Sequence, residues 1–153
     1  MEALREAFRA RTIEKAYLAL VHGDPEWETR TLDWDLMDGA ADRRGWRDPG
    51  MGDQSARTDV EVLERFGAAA LVLCHPADGR RHQIRVHMCA AGHALVGDKL
   101  YASREEQRRL RAPRHMLHAG GLAFAHPLTG EGLEAELPPP MDMQSEIDRL
   151  VGA

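Results

Sequence analysis

The residues best equipped for chemistry crowd into Gly79-Arg80-Arg81-His82-Gln83-Ile84-Arg85-Val86-His87-Met88, where three arginines and two histidines follow a glycine turn. Read as the opening of a helix, this run sets cationic side chains beside free backbone N–H groups at the positive end of the dipole. Such an arrangement suits a phosphate or a carboxylate. Helical spacing puts Arg85 one turn from His82 and Cys89, so a basic group can face a cleft while Ile84 and Met88 pack inward. Arg80, His82 and Gln83 are then candidate substrate-binding residues. A solvated surface helix fits the same residues, and spacing alone leaves both readings open.

Other chemistries find less support. His82 and His87 are five apart with no Glu between them, unlike the i, i+4 pair of a metalloprotease helix. His115 and His118 are poorly matched on a strand, and no Cys or carboxylate stands at ligand spacing, so no metal site and no cofactor is expected. Neither a Gly-x-Ser-x-Gly elbow nor a Walker loop is present. Asp98, between Gly97 and Lys99, reads as a turn former. Tyr17 reads as a packed strand aromatic whose hydroxyl finds a partner at the edge.

These residues must be positioned by a chain of 153 residues, 43% apolar and 29% charged, which suits one soluble globular domain. No apolar run approaches the roughly 18 residues of a membrane span, and MEALREAFRAR offers no continuous apolar region for a signal peptide. Cys74 and Cys89 are too few for a disulfide framework and read as reduced thiols, which points to the cytoplasm. Net charge is −5, yet residues 79–115 hold nine Lys or Arg against three acids, while the remainder holds 11 against 22. A basic block in an acidic protein can steer a polyanion to one face. Alternating charges over 104–111 fit an ordinary exposed helix equally well.

The hydrophobic pattern predicts an amphipathic helix over 2–11, a strand over 12–21 ended by His22-Gly23-Asp24-Pro25, and a short strand over 29–36. Residues 37–55, rich in Gly, Asp and Arg, read as a long surface loop. Alternation over 57–66, a turn at Gly67 and an apolar run over 69–75 predict a hairpin. A helix is expected over 81–91, closed by Gly92 in the left-handed region. Residues 116–124 and 132–137 flank Pro127-Leu128-Thr129-Gly130 as a second hairpin, and a short helix follows the prolines at 138–140. Hairpins with few crossover helices make the class α+β, with a mixed, mainly antiparallel sheet and flanking helices.

GRRHQIRVHMCAAGHALVGDKLYA (79–102) resembles the signature of RluA-family RNA pseudouridine synthases, roughly G-R-x-H-Q-I-R-V-H followed by G-H-P-I-x-G-D-x-x-Y. RTIEKAYLALVHG (11–23) resembles that family's Lys-x-Tyr-x-Ala-x-Val strand. HMLHAGGLAFAHPLTGEGLEAELPPPMD (115–142) resembles its closing Leu-His-Ala, His-Pro and proline-rich acidic end. The likeness runs over nearly the whole chain, and 99–119 is nearest the RluA-type subgroup, whose members act on rRNA or tRNA.

What the resemblance implies is an isomerase that detaches a uracil in RNA, turns it, and rejoins it to the sugar through carbon 5, with neither cofactor nor metal. By motif, Tyr17 is the tyrosine that stacks on the flipped base and Arg85 is the arginine that pairs with the family's catalytic aspartate. Base flipping calls for an aromatic platform, and an arginine keeps an opposing acid ionised. Leu117 is the corresponding apolar wall of the uracil pocket. The aspartate's own motif, His-Arg-Leu-Asp-x-x-Thr-Ser-Gly, does not occur here. Arg30-Thr31-Leu32-Asp33 is its nearest look-alike, but it follows Tyr17. Asp78, Arg81 and Ala94 depart from the pattern as well, and Asp78 beside the basic run is expected to weaken RNA contacts.

The chain therefore reads as the C-terminal portion of a pseudouridine synthase catalytic domain over 1–153, binding RNA but inactive alone. The alternative is a non-catalytic RNA-binding module derived from the same fold. A missing N-terminal half predicts an exposed edge at the Tyr17 strand, inviting self-association or pairing with a complementary half.

Overall fold

A computed structural model describes residues 13–126 and 129–153, so the helix expected over 2–11 lies outside the described residues. Eight strands and three helices follow in order: β1 (Glu14–His22), β2 (Thr29–Leu32), β3 (Asp35–Asp38), β4 (Arg44–Arg47), β5 (Thr58–Arg65), β6 (Ala69–Pro76), α1 (Gln83–Ala90), α2 (Arg104–Arg109), β7 (Leu117–Ala125), β8 (Gly132–Glu136) and α3 (Met141–Val151). Six strands form one sheet in the order β2-β5-β6-β1-β7-β8, and β3 pairs with β4 apart from it. Every strand pairing is antiparallel. The class is α+β, as the pattern of hairpins implies.

Alternation along the central strands divides the core into two layers. Ala19 and Val21 of β1, with Ala70, Val72 and Cys74 of β6, meet Ile84 and Met88 of α1 on one face. Leu20 and Ala69 point the other way, to Val96, Met116 and, from α3, Met143 and Ile147. Leu20, Met88, Met116 and Met143 are completely buried, and each contributes about 1.5–3 kcal/mol through removal of its side chain from water. The sheet thins outward, for all of β8 is exposed.

Three sequence expectations change. β1 is not an edge: it pairs with β6 on one side and β7 on the other, leaving β2 and β8 as the edges among the described residues. Strand order is set by contacts distant in sequence, which local patterning does not encode. Residues 29–36 form parts of two strands, with Leu32 in the main core and Leu36 beside Val86 and Tyr101. The expected loop at 37–55 holds the β3–β4 hairpin. Its turn places Ala41 and Asp42 at φ 54° and 62°, a conformation in which sequence usually advertises itself with Asn-Gly or Asp-Gly.

α1 begins one turn after Gly79 and is followed by Gly92 at φ +88°, the left-handed stop expected there. α2 starts with a capping box, Ser103 Oγ accepting from Glu106 N–H and the Glu106 carboxylate accepting from Ser103 N–H.

Candidate functional site

A cavity of about 400 Å³ opens where β1, the end of β6, the 76–83 turn, the start of α1 and the start of β7 converge. Tyr17, Arg80, His82, Gln83, Arg85 and Leu117, named separately from sequence, all line it. The pairing of β1 with β7 slips between Ala16 and Tyr17, so Ala16 faces Gly121 while Tyr17 faces Ala119. A bulge of this kind bends the local strand and re-aims a side chain. It stands beside the half-buried Tyr17 ring.

The residues around the ring divide into those that brace and those that stay open. Gln83 braces: its amide nitrogen donates to Arg57 O at 2.8 Å and Thr58 Oγ1 at 3.1 Å, and its oxygen accepts from Arg80 N–H at 3.2 Å. Asp78 also lies in this clip, its Oδ2 accepting from Arg57 N–H at 2.9 Å. Arg80 is half-buried and donates from Nε to Ser55 O at 3.3 Å. Lys15 and His115 line the cavity too. In the sequence Lys15 stands only as part of the Lys-x-Tyr strand motif and His115 only as a poorly matched metal ligand.

Arg85 is held from two sides. Its Nε and Nη2 each donate to the Asp98 carboxylate at 2.8 Å, and its guanidinium carbon lies 5.1 Å from the centre of the Tyr101 ring. Burial pushes the Asp98 carboxyl up, but hydrogen bonds from Arg85 and from the Leu100 and Tyr101 N–H groups outweigh it and hold Asp98 below the usual carboxylate range. Asp98 does turn the chain, as read from sequence, and is a charge partner as well. The 94–96 segment delivers it: Ala94 O and Leu20 O accept from His22 N–H and Val96 N–H, while Val96 O accepts from Met116 N–H.

His82, immediately before α1, has a left-handed backbone at φ 59°. Its Nδ1 lies 2.9 Å from Tyr101 Oη, whose oxygen also accepts from Arg44 N–H at 2.8 Å. Burial, then the charges of Arg85 and Arg81, depress the His82 imidazole. His115 is depressed by burial and then by Arg85. Both rings therefore favour the neutral form beside Arg85. Such a cavity offers an aromatic face, neutral imidazoles and fixed cations, a set that can hold a planar, oxygen-bearing anionic ligand. No group of three or more His, Cys, Asp or Glu side chains suited to a metal ion occurs among the described residues.

Residues 1–90 match the family model described as RNA pseudouridylate synthase. The chain is 38% identical over 149 residues to the uncharacterized RNA pseudouridine synthase YlyB of Bacillus subtilis (strain 168), covering 97% of this chain and 48% of that protein. It is 34% identical over 160 residues to ribosomal large subunit pseudouridine synthase C of Escherichia coli (strain K12), covering 100% and 50%. The chain thus spans about half the length of the curated relatives it matches. Among solved structures, human RNA pseudouridylate synthase domain containing 1 superposes with a TM-score of 0.79 at 28% identity, over 99% of this chain and 69% of that one.

Proposed function

Because the chain belongs to the RNA pseudouridylate synthase family, we propose that its cavity holds a uridine of rRNA or tRNA during isomerisation to pseudouridine. The observation that carries this reading is the meeting of Tyr17 and Arg85, far apart in sequence, around one basic cavity. In the reaction the bond from C1′ to N1 breaks and one from C1′ to C5 forms, so the uracil must turn while staying bound. The Tyr17 ring supplies a face on which the flipped base stacks and turns, and its hydroxyl is suited to relay the C5 proton, giving up its own to solvent as it accepts one while N1 of the product is protonated from solvent. Leu117 closes an apolar side. Arg80 and His82 meet the sugar-phosphate and the base oxygens, Arg85 stands as the arginine that pairs with the family's catalytic aspartate and turns its remaining donors to those oxygens, and Gln83, of the substrate-binding set, acts by holding the 80–83 turn. No cofactor enters this scheme.

The 153 residues form, on this reading, the C-terminal portion of the catalytic domain, working on cytoplasmic RNA. No helix among the described residues is long and apolar enough to cross a membrane. The family's catalytic aspartate motif is not in this sequence, so the isolated chain is expected to bind RNA without turnover. Incubation of purified chain with unmodified rRNA and tRNA, followed by pseudouridine mapping, tests this. Multiple turnover by the chain alone would overturn it. A non-catalytic RNA-binding module is favoured by one observation, that Arg85 already has a carboxylate partner in Asp98. Pseudouridine formed after adding the N-terminal half of a related enzyme would decide for the first reading.

A further inference from the structure

The grip on Arg85 determines which part of its guanidinium remains for a ligand. Nε and Nη2 donate to Asp98 Oδ2 and Oδ1 at 2.8 Å. Of the five N–H donors of an arginine, the two on Nη1 and the second on Nη2 have no acceptor among the described residues, and the side chain, 13% exposed, borders the cavity. Asp98 is closed to any ligand. Its side chain is 0% exposed, and Oδ1 also accepts from Leu100 N–H at 3.0 Å and Tyr101 N–H at 3.1 Å. Oδ1 thus takes three bonds and Oδ2 one, and burial keeps a ligand from what remains of the carboxylate. A largely buried ion pair of this kind adds little net stability, because desolvation offsets the Coulomb attraction. Its effect is geometric: with Tyr101 behind the guanidinium, Arg85 cannot swing.

We propose that Asp98 is a positioning residue, which holds Arg85 so that its free Nη edge meets an acceptor oxygen of the nucleotide in the cavity. The proposal rests on the RNA reading above. That oxygen belongs to a backbone phosphate or to a base carbonyl, two sources with one hydrogen-bonding chemistry.

The test measures binding of a short uridine-containing RNA by fluorescence anisotropy at fixed salt, for the wild type, Arg85→Ala, Arg85→Lys, Asp98→Asn and the double variant Arg85→Ala/Asp98→Asn. Asparagine keeps an oxygen for the Leu100 and Tyr101 N–H groups but sets an amide, not a charge, against Arg85. Arg85→Ala and Asp98→Asn are each expected to weaken binding about tenfold, with the double variant no worse than Arg85→Ala. Arg85→Lys should lose as much, since an ammonium cannot engage Asp98 bidentately and a ligand together. In NMR spectra the Arg85 Nε–H should resist solvent exchange in the wild type and lose that protection in Asp98→Asn. Wild-type affinity in Asp98→Asn beside a weakened Arg85→Ala overturns the positioning role and leaves the RNA reading standing. Unchanged affinity in Arg85→Ala overturns the RNA reading of the cavity, and the proposal with it. Should Asp98→Asn fail to fold, Arg85→Lys decides, because full affinity there means that charge alone suffices. An RNA with an abasic site and one with a neutral methylphosphonate linkage identify the oxygen: the Arg85→Ala loss should vanish for one of them, and its persistence with both overturns the contact.

Discussion

His82 Nδ1, at the cavity wall, stands 2.9 Å from the hydroxyl of the buried Tyr101, and His82 reaches that contact from a left-handed backbone at φ 59°. The tyrosine oxygen also accepts from Arg44 N–H at 2.8 Å, so one hydroxyl ties α1 to the β3–β4 hairpin. Tyr101→Phe keeps the ring behind Arg85 and removes both bonds. Leaving the buried Arg44 N–H without an acceptor is expected to cost about 1–3 kcal/mol, read as a lowered midpoint in urea. A midpoint equal to the wild type would mean that solvent or a shifted group takes over the N–H.

The left-handed turn at His82 makes a second, separable prediction. A side chain in that region costs roughly 1–2 kcal/mol, a penalty glycine escapes. His82→Ala keeps the strain and loses the Tyr101 bond, whereas His82→Gly loses the bond and the strain together. Glycine should therefore be the more stable replacement by about 1 kcal/mol in equilibrium unfolding, opposite to the order at an ordinary helix position. Alanine equal to or above glycine would show that residue 82 relaxes out of the left-handed region.

Gly97 places Asp98, and its environment leaves no room for a side chain. It sits at φ +79°, and an added Cβ would collide with the Arg114 carbonyl. Gly92 serves as the control, for at φ +88° its Cβ would meet nothing within 4 Å. Gly92→Ala should lose only the left-handed penalty of about 1 kcal/mol. Gly97→Ala must also displace the chain at Arg114 and is expected to lose more than about 2 kcal/mol, together with RNA affinity, since the Asp98 carboxylate moves with the turn. Equal losses in the two variants would sink this account.

Legibility from sequence tracked the range of the forces involved. The β5–β6 and β7–β8 hairpins, and α1 with its Gly92 stop, follow from alternation and turn residues that act within a few positions. The hairpin at 37–55 escaped because Ala41 and Asp42 adopt positive φ without the usual glycine. Tyr17, Arg80, His82, Arg85 and Leu117 were legible from motif residues, and the cavity collects them. Lys15 and His115 were visible only as a motif residue and a poorly matched metal ligand, and their place on the cavity wall exists only once the strands have paired. Asp98 was half legible. A Gly-Asp pair announces a turn, but the bond to Arg85 exists only once the 94–96 segment docks beside β1.

The histidines set the acid limit of the fold. His22 is 2% exposed and neither ring nitrogen has a hydrogen-bond partner among the described residues. Burial depresses its imidazole, Glu106 partly opposes this, and Arg109 adds to it. His87, wholly buried, is depressed by burial although Nε2 lies 2.8 Å from Trp34 O and Nδ1 lies 2.9 Å from Thr58 Oγ1. A base whose folded pKa lies below its unfolded value favours the native state fully above the ordinary value of 6.5. As pH falls below that, the unfolded chain takes up protons the native chain refuses, and stability declines. Asp98 acts in a lower window. Its folded carboxyl lies below the ordinary 3.8, so its contribution is whole above that pH and fades as pH drops further. Denaturation between pH 8 and pH 3 should thus show a first decline starting near pH 6.5 and a second in the carboxylate range. His22→Leu replaces an unpartnered polar ring with apolar bulk, and it should flatten the first decline while raising stability at pH 5.5, below the ordinary 6.5. A first decline of the same steepness in His22→Leu would show that His22 takes up its proton in the folded chain as readily as in the unfolded one.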